Sequence, residues 1–600
     1  MKRKEFYFFP LIIAFFAVLS YSRVLFFRDV FWDDNYWLMA AYSSTNLDQF
    51  LDKGFYEIRR VLLGVFLYFF FSLSKSTEHA YLIWHSVNLS IQILTPVFLY
   101  LFLNNLLKDK KLLSFFAALS FAILPLDITL PYLSAINYRI ATMLALISFC
   151  LTQRAFAEGG IRWALLVTAL VISAISYYVF LEMTIVFEGA RLFVIGYIFY
   201  NRGSKGKSLI RDTIRYWLPF FLICIPLALY KLIYKPYGIY SGMYKTDFLF
   251  FMNWKSHADV LRVFLFDQWK KELGMNDGFI DVLRVFLFGQ GNVSLPYLKN
   301  LNLWSIILGI LAAGASFFLL EKMTNIPEAG PKDNSTFKNR WNPVRTVLLF
   351  GLIFLVPPML FLEFAGLEIS SGLYSSHLNQ LQIGYSIIMG AILYSLYTMF
   401  SYSHLRTNLI NLFIGILIGF GVLFNNLNLD TYFKSWERQE RFWKVFTDRF
   451  PSLPENATFM MDVRDFYFFD ATDLDNAYDL EFILNLLYAD SKRPEDFRRY
   501  KVFPLEEFKA EMADRFRCNQ ANEERLERAT HFGKDALNPC EFIIVHYRDG
   551  KLMVNREIKE MLPNIPYREW LNNDFPALPH KPAAYPLRYK LNGFLDDNAL

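Results

Sequence analysis

Eleven stretches of this chain are apolar over roughly the length that crosses a bilayer, which takes about 20 residues of helix. They lie at residues 6 to 27, 79 to 107, 112 to 126, 136 to 153, 163 to 180, 183 to 200, 216 to 234, 302 to 320, 346 to 364, 381 to 400 and 408 to 427. No feature constrains the fold more. Backbone amides in hydrocarbon must be satisfied within their own segment, so runs of this kind cross as helices. The composition agrees: 54% of the 600 residues are apolar and 18% aromatic, with a mean hydropathy of +0.25, above the range of soluble globular chains. A further run, Val61 to Leu73, is too short to cross and is expected in the membrane interface. The start, Met1-Lys-Arg-Lys followed by apolar Phe6 to Phe27, is too long for a signal peptide. It also lacks a small-residue cleavage site before Arg28, so it reads as a retained first span.

Charge divides the chain in two. Residues 428 to 600 hold 25 basic and 31 acidic side chains, which leaves 36 and 25 for residues 1 to 427. The whole carries only +5, too weak a bias for a nucleic-acid partner. The expected organisation is a polytopic α-helical domain over residues 1–427 and a soluble domain over 428–600, meeting near Asn425 to Asp430. With the amino terminus cytoplasmic, the inner connections collect 19 Lys and Arg, while the short outward turns 127–135, 181–182 and 365–380 have none. That bias sets the orientation. An odd number of crossings then exports residues 428–600, together with the loops 28–78 and 235–301. The second loop repeats Asp259-Val-Leu-Arg-Val-Phe-Leu-Phe266 at Asp281 to Phe288, which suits two helices on the membrane surface.

In the soluble part the pattern predicts helices near 476–489, 504–517 and 521–530, and strands at Thr458 to Val463 and Phe542 to Tyr547. A hairpin turn is expected at Arg548-Asp-Gly-Lys551. This is an α/β domain with no nucleophile elbow, P-loop or zinc spacing. Its two cysteines, Cys518 and Cys540, would sit in an oxidising compartment, where a bridge over that spacing stabilises by roughly 3 kcal/mol.

The candidate chemistry begins at Phe31-Trp-Asp33-Asp34-Asn-Tyr-Trp37, directly after the first span. Adjacent carboxylates among aromatics repel each other and lose hydration, which raises the proton affinity of at least one and suits a general base acting on a hydroxyl. The alternative is that one of them caps a short helix inside an interfacial aromatic belt. Further along come a capping signal at Asn46-Leu-Asp-Gln49, then Arg59-Arg60, then His79, His85 and Asn88. Leu124-Pro-Leu-Asp127 ends the third span, Asn137-Tyr138-Arg139 opens the fourth, and Tyr177-Tyr-Val-Phe-Leu-Glu182 closes the fifth.

This series resembles the GT-C superfamily of multi-spanning glycosyltransferases, which includes the protein O-mannosyltransferases and their bacterial relatives. Asp33-Asp34 matches the acidic motif of the first outer loop, Arg139 the Arg near the outer start of the fourth span, and Glu182 the Glu between the fifth and sixth. The resemblance covers residues 1 to about 200 in pattern and the rest in layout. The chain departs from individual branches of that superfamily: it has no Trp-Trp-Asp motif, tetratricopeptide tail or β-trefoil insert, and Ile128-Thr129 follows Asp127 where some relatives place an acid.

The resemblance implies transfer of a sugar from a polyprenyl-phosphate donor to a hydroxyl of a glycan, lipid or protein at the outer face of a bacterial inner membrane, with membrane lipid as surroundings. Asp33 would take the acceptor proton. Arg139 would be first to neutralise the departing phosphate, helped by Arg59, Arg60, Lys245 or His377, and Tyr138 belongs to the same substrate-binding set. Asp34 and Glu182 would orient the acceptor or pair with Arg139. No cofactor is required in principle, although some relatives use a divalent metal. A lipid or polysaccharide transporter and a noncatalytic envelope scaffold are the competing classes. The first is opposed by the absence of repeated spans, since transporters commonly show them.

Overall fold

Each of the eleven windows folds as a helix in this computed structural model. It describes residues 2–28, 33–77, 79–107, 110–124, 127, 129–156, 160–234, 302–323, 337–364, 378–400, 404–454, 457–462, 477–488, 500–504, 526–530, 533–537, 542–548 and 550–561. The order is α1 (Lys2–Tyr21), the loop helices α2 (Asp33–Ser43), α3 (Leu47–Asp52) and α4 (Val61–Ser72), then α5 (Ala80–Leu106), α6 (Lys111–Ile123), α7 (Ile136–Ala155), α8 (Trp163–Ile175), α9 (Phe187–Asn201), α10 (Gly206–Ile233), α11 (Leu303–Met323), α12 (Phe337–Phe364), α13 (Leu378–Phe400) and α14 (His404–Arg449).

Eight helical segments among the described residues are long and apolar enough to cross a membrane. The windows of α6, α7 and α12 fall short of that standard. The 13 residues of α6 span only about 20 Å, and every one from Leu112 to Ile123 is buried, so α6 is a core helix wrapped by its neighbours. On α7 the buried side includes Asn137, Arg139, Thr142, Ser148, Thr152 and Gln153, which lowers its hydropathy. Around this core, large apolar side chains such as Leu11, Ile310 and Phe318 are more than 60% exposed. A surface so apolar is costly in water and ordinary against acyl chains. The chain is a membrane-embedded, polytopic helical protein.

Close helix contacts use small residues, since lipid removes the hydrophobic drive between helices and leaves packing to do the work. A Cβ on Gly419 of α14 would stand 2.6 Å from the carbonyl oxygen of Gly309 on α11 and 2.8 Å from Ala313 Cβ. Charge inside a span is handled by enclosure. Within the α9 window, Arg191 is sandwiched between the rings of Phe149 and Phe220, 4.3 and 4.2 Å from their centroids. Its guanidinium donates to Glu188 Oε2 at 2.7 Å, Thr152 Oγ1 at 2.6 Å and Ser173 Oγ at 2.9 Å, and Tyr177 donates to Glu188.

The expected boundary at 425–430 carries no linker. α14 runs unbroken for 46 residues, because the polar residues there bond the bundle. Asn425 donates to the Ile123 carbonyl and Asn426 to that of Leu19, both at 2.9 Å, and Asp430 pairs with Arg23. The far end of α14 enters the α/β domain, where Phe442, Phe446 and Phe450 cover one face of a sheet.

Strands β1 (Thr458–Asp462), β2 (Lys501–Pro504), β5 (Phe542–Arg548) and β6 (Lys551–Val554) form that sheet in the order β2-β1-β5-β6. β1 is parallel to both neighbours, with Thr458 level with Lys501 and Phe542. The expected hairpin joins β5 to β6, with Gly550 at φ 76°. Helix α15 (Ala477–Leu487) packs on the same face as α14, and α16 (Asn555–Met561) follows β6. One expectation is corrected: Leu526–Thr530 is not helix but strand β3, antiparallel to β4 (Gly533–Leu537). Its Glu- and Arg-rich composition favours helix locally, and pairing with the returning chain overrides that weak preference. The expected helix over 504–517 beyond Pro504, the loop 235–301 with its repeat, and Cys518 and Cys540 lie outside the described residues.

Candidate active site

Two acid–base clusters meet at the end of the bundle that carries the loop helices and the α/β domain. One is sealed and the other is partly open. Both hang on the start of α7, and the open one also on α2, whose first turn holds Asp33 and Asp34.

The two carboxylates have separate fates. Asp34 is fully buried and accepts the backbone N–H groups of Leu133 and Ser134 at 2.8 and 2.6 Å. Two such bonds tie the turn before α7 onto α2, so Asp34 is an anchor. Neither acid serves as a residue preceding the helix, because both lie inside its first turn. Asp33 is partly exposed. Burial and, secondarily, the charge of Asp34 push its carboxyl up to about 7, so near neutral pH it exchanges protons readily.

Tyr138, half-buried on α7, lies within electrostatic reach of Asp33 and is hydrogen-bonded by Arg60. Arg60 in turn grips Glu182 through Nε and Nη2, at 3.0 and 2.9 Å from the same Oε1 oxygen. Arg60 and Glu182 retain 19% and 13% of their side-chain exposure. The preceding residue, Arg59, takes φ +58°, a left-handed conformation that costs a non-glycine residue of order 1 to 3 kcal/mol and gathers at functional sites. Its guanidinium stands 5.8 Å above the ring of Tyr234. Tyr138 therefore joins Asp33 to Arg60 and Glu182.

Arg139 does not join this group. It is 1% exposed, and its nitrogens are engaged by Asp127 Oδ2 at 3.0 Å, Asn88 Oδ1 at 3.1 Å and Thr129 Oγ1 at 2.9 Å. Asp127 is satisfied as well, by the Thr129 amide at 2.9 Å and Asn379 Nδ2 at 2.8 Å. This closed network pins α5, α7 and α13 to the turn at 127–130. The expectation that Arg139 leads in neutralising phosphate is corrected on that ground: each of its three nitrogens already bonds a buried partner and its surface is covered. Glu182 pairs with Arg60 rather than with Arg139. Sequence reasoning named Asp127 and Thr129 without pairing them with Arg139 and did not single out Asn379; the signal was present in Asp127, an acid 12 residues before a membrane arginine.

Around the site, Asn46 caps α3 by accepting from the Gln49 amide at 3.0 Å, and Lys53 bonds Ser43 Oγ at 2.8 Å. Burial lowers the Lys53 ammonium to about 8. His79 is exposed where it precedes α5, and His85 is buried beside Phe27, 5.7 Å between rings. Lys245 and His377 lie outside the described residues. No group of three or more His, Cys, Asp or Glu able to hold a metal ion occurs among the described residues. In comparisons with protein-family models, curated proteins and solved structures, nothing matches this chain.

Proposed function

We propose that this protein is a membrane glycosyltransferase that moves a sugar from a polyprenyl-phosphate donor to an acceptor hydroxyl, with a GT-C-like arrangement of spans. One observation carries the reading. A carboxyl poised near neutrality, Asp33, stands within electrostatic reach of Tyr138, which Arg60 of a partly exposed arginine–carboxylate pair hydrogen-bonds, at the end of a lipid-facing bundle.

Asp33 accepts the proton of the acceptor hydroxyl as its oxygen bonds to the anomeric carbon. The bond from that carbon to the phosphate oxygen breaks, and polyprenyl phosphate leaves with the electron pair. The developing charge needs a cation close by. Arg60 supplies it by exchanging Glu182 for phosphate, with Arg59 as a second cation. Tyr138 holds Arg60 in place, and Asp34 holds the helix on which Asp33 rides.

The 19 inner Lys and Arg support a cytoplasmic amino terminus and a site facing the periplasm of a bacterial inner membrane. The test is release of polyprenyl phosphate from synthetic polyprenyl-phosphate mannose, glucose, galactose and arabinose by the full chain in nanodiscs, with membrane glycan and lipid extracts as acceptors. Release from one of them that Asp33→Asn abolishes supports the reading. No release from any member of the panel opposes it.

A further inference from the structure

Helix α15 of the α/β domain is buried on two sides. Leu480, Ile483, Leu484 and Leu487 face the domain's own sheet. Phe482 and Leu486, 1% and 0% exposed, instead join the apolar cluster of the loop helices α2 to α4. The Phe482 ring lies 4.9 Å from that of Tyr36. Tyr36 in turn packs at 4.5 Å on Trp37, and Trp37 stacks at 4.2 Å on Phe55. Tyr36 follows Asp33 by three positions, so the two share a face of α2.

An 11-residue helix has little stability of its own and takes its position from what holds it. Asp34 holds the first turn of α2 to the turn before α7. Trp37, stacked on Phe55, and Ser43, bonded by Lys53, hold its other side against the neighbouring loop helices, and Phe482 closes the remaining side at Tyr36, one turn from Asp33. We propose that the α/β domain is part of the transfer site, with Phe482 as a positioning residue that fixes α2 so that Asp33 faces Tyr138, the ring that Arg60 bonds. This rests on the transferase reading above. The titratable groups acting around Asp33 are Asp34 and Tyr138, and Arg60 and Glu182 lie on Tyr138 in turn. On α15, Glu481 is turned to the Val502 amide, so Phe482 acts by packing and exclusion of water rather than by charge.

The experiment compares the full chain with Phe482→Ala and Phe482→Leu in nanodiscs. It reads turnover of whichever synthetic polyprenyl-phosphate sugar the unmodified chain accepts, and amide hydrogen exchange over 33–43. A displacement of about 1 Å costs on the order of 10²-fold in rate. Phe482→Ala is expected to lower kcat by about that factor, with a smaller change in KM, and to move the rising limb of the pH profile below its normal position. It is also expected to speed exchange in 33–43 while β1 and β5 exchange as before. Phe482→Leu is expected to restore most of both.

An unchanged rate and pH limb in Phe482→Ala overturns the proposal. So does a loss of rate that merely follows the fraction folded, with faster exchange throughout the domain. If the unmodified chain turns over none of the sugars, the transferase reading fails separately and exchange alone decides: faster exchange confined to 33–43 supports the clamp, and no change overturns it.

Discussion

Arg139 with Asp127 and Arg60 with Glu182 are two arginine–carboxylate pairs at the same end of one bundle, and they differ in what surrounds them. The first pair is 1% and 2% exposed, and both partners are bonded further by side chains and backbone. The second is 19% and 13% exposed and joins two arginine nitrogens to a single carboxylate oxygen. A sealed pair cannot change partners without leaving a charge uncompensated in a dry interior. An open pair can give up its carboxylate to an incoming anion. Arginine at a membrane site therefore signals anion binding only when its donors can be released.

The comparison breaks most visibly on the sealed side. Asp127→Ala leaves Arg139 buried without its counter-ion and is expected to cost about 3 to 5 kcal/mol, read as loss of folded protein and a lowered Tm in detergent. The open side should respond in rate instead. Arg60→Gln is expected to lower kcat/KM by about 10²- to 10³-fold, as for loss of one transition-state donor, while stability stays within about 1 kcal/mol. Should Arg60→Gln destabilise the chain as much as Asp127→Ala, the distinction between the two pairs is wrong.

Asp33 sharpens the contrast through pH. Its folded-state value is about 7 against an ordinary 3.8, so the unfolded chain releases this proton first. Stability contributed by the protonated form is present below about 4 and is lost as pH rises to about 7. The loss is of order 2 kcal/mol once partial solvation is allowed for. In Asp33→Asn this part of the pH dependence should vanish, which Tm measured near pH 5 and near pH 8 will show. The smallest effect belongs to Arg59. Arg59→Gly relieves the left-handed strain and is expected to raise stability by about 1 kcal/mol while weakening transfer; a lowered Tm would mean that the side chain, not the backbone, dominates there.

Much of this was legible in the sequence, for identifiable reasons. Period and length of apolar runs report on helices directly, so all eleven windows are helical and eight of them are long and apolar enough to cross, and the Asp33-Asp34 doublet stands out because adjacent acids among aromatics are costly. Partnership is not local. Arg60 and Glu182 are 122 residues apart, and the amides that hold Asp34 are about 100 residues away. Asp127 folds back onto Arg139 across a turn that periodicity does not encode. Polar residues near 425–430 read as a boundary between the two regions because composition cannot distinguish a helix bonding its neighbours from one leaving them. The run from Leu526 to Thr530 shows the same limit for strand pairing.

The pH–rate profile of the full chain and of Asp33→Asn, measured from about pH 5 to about pH 9 on a synthetic polyprenyl-phosphate sugar, addresses the central claim most directly. A base with a value near 7 gives a rate that rises about tenfold per pH unit below that point and levels above it. Removing it should cost on the order of 10²- to 10⁴-fold throughout. A flat profile, or an Asp33→Asn chain that transfers sugar at the unmodified rate, would contradict the account.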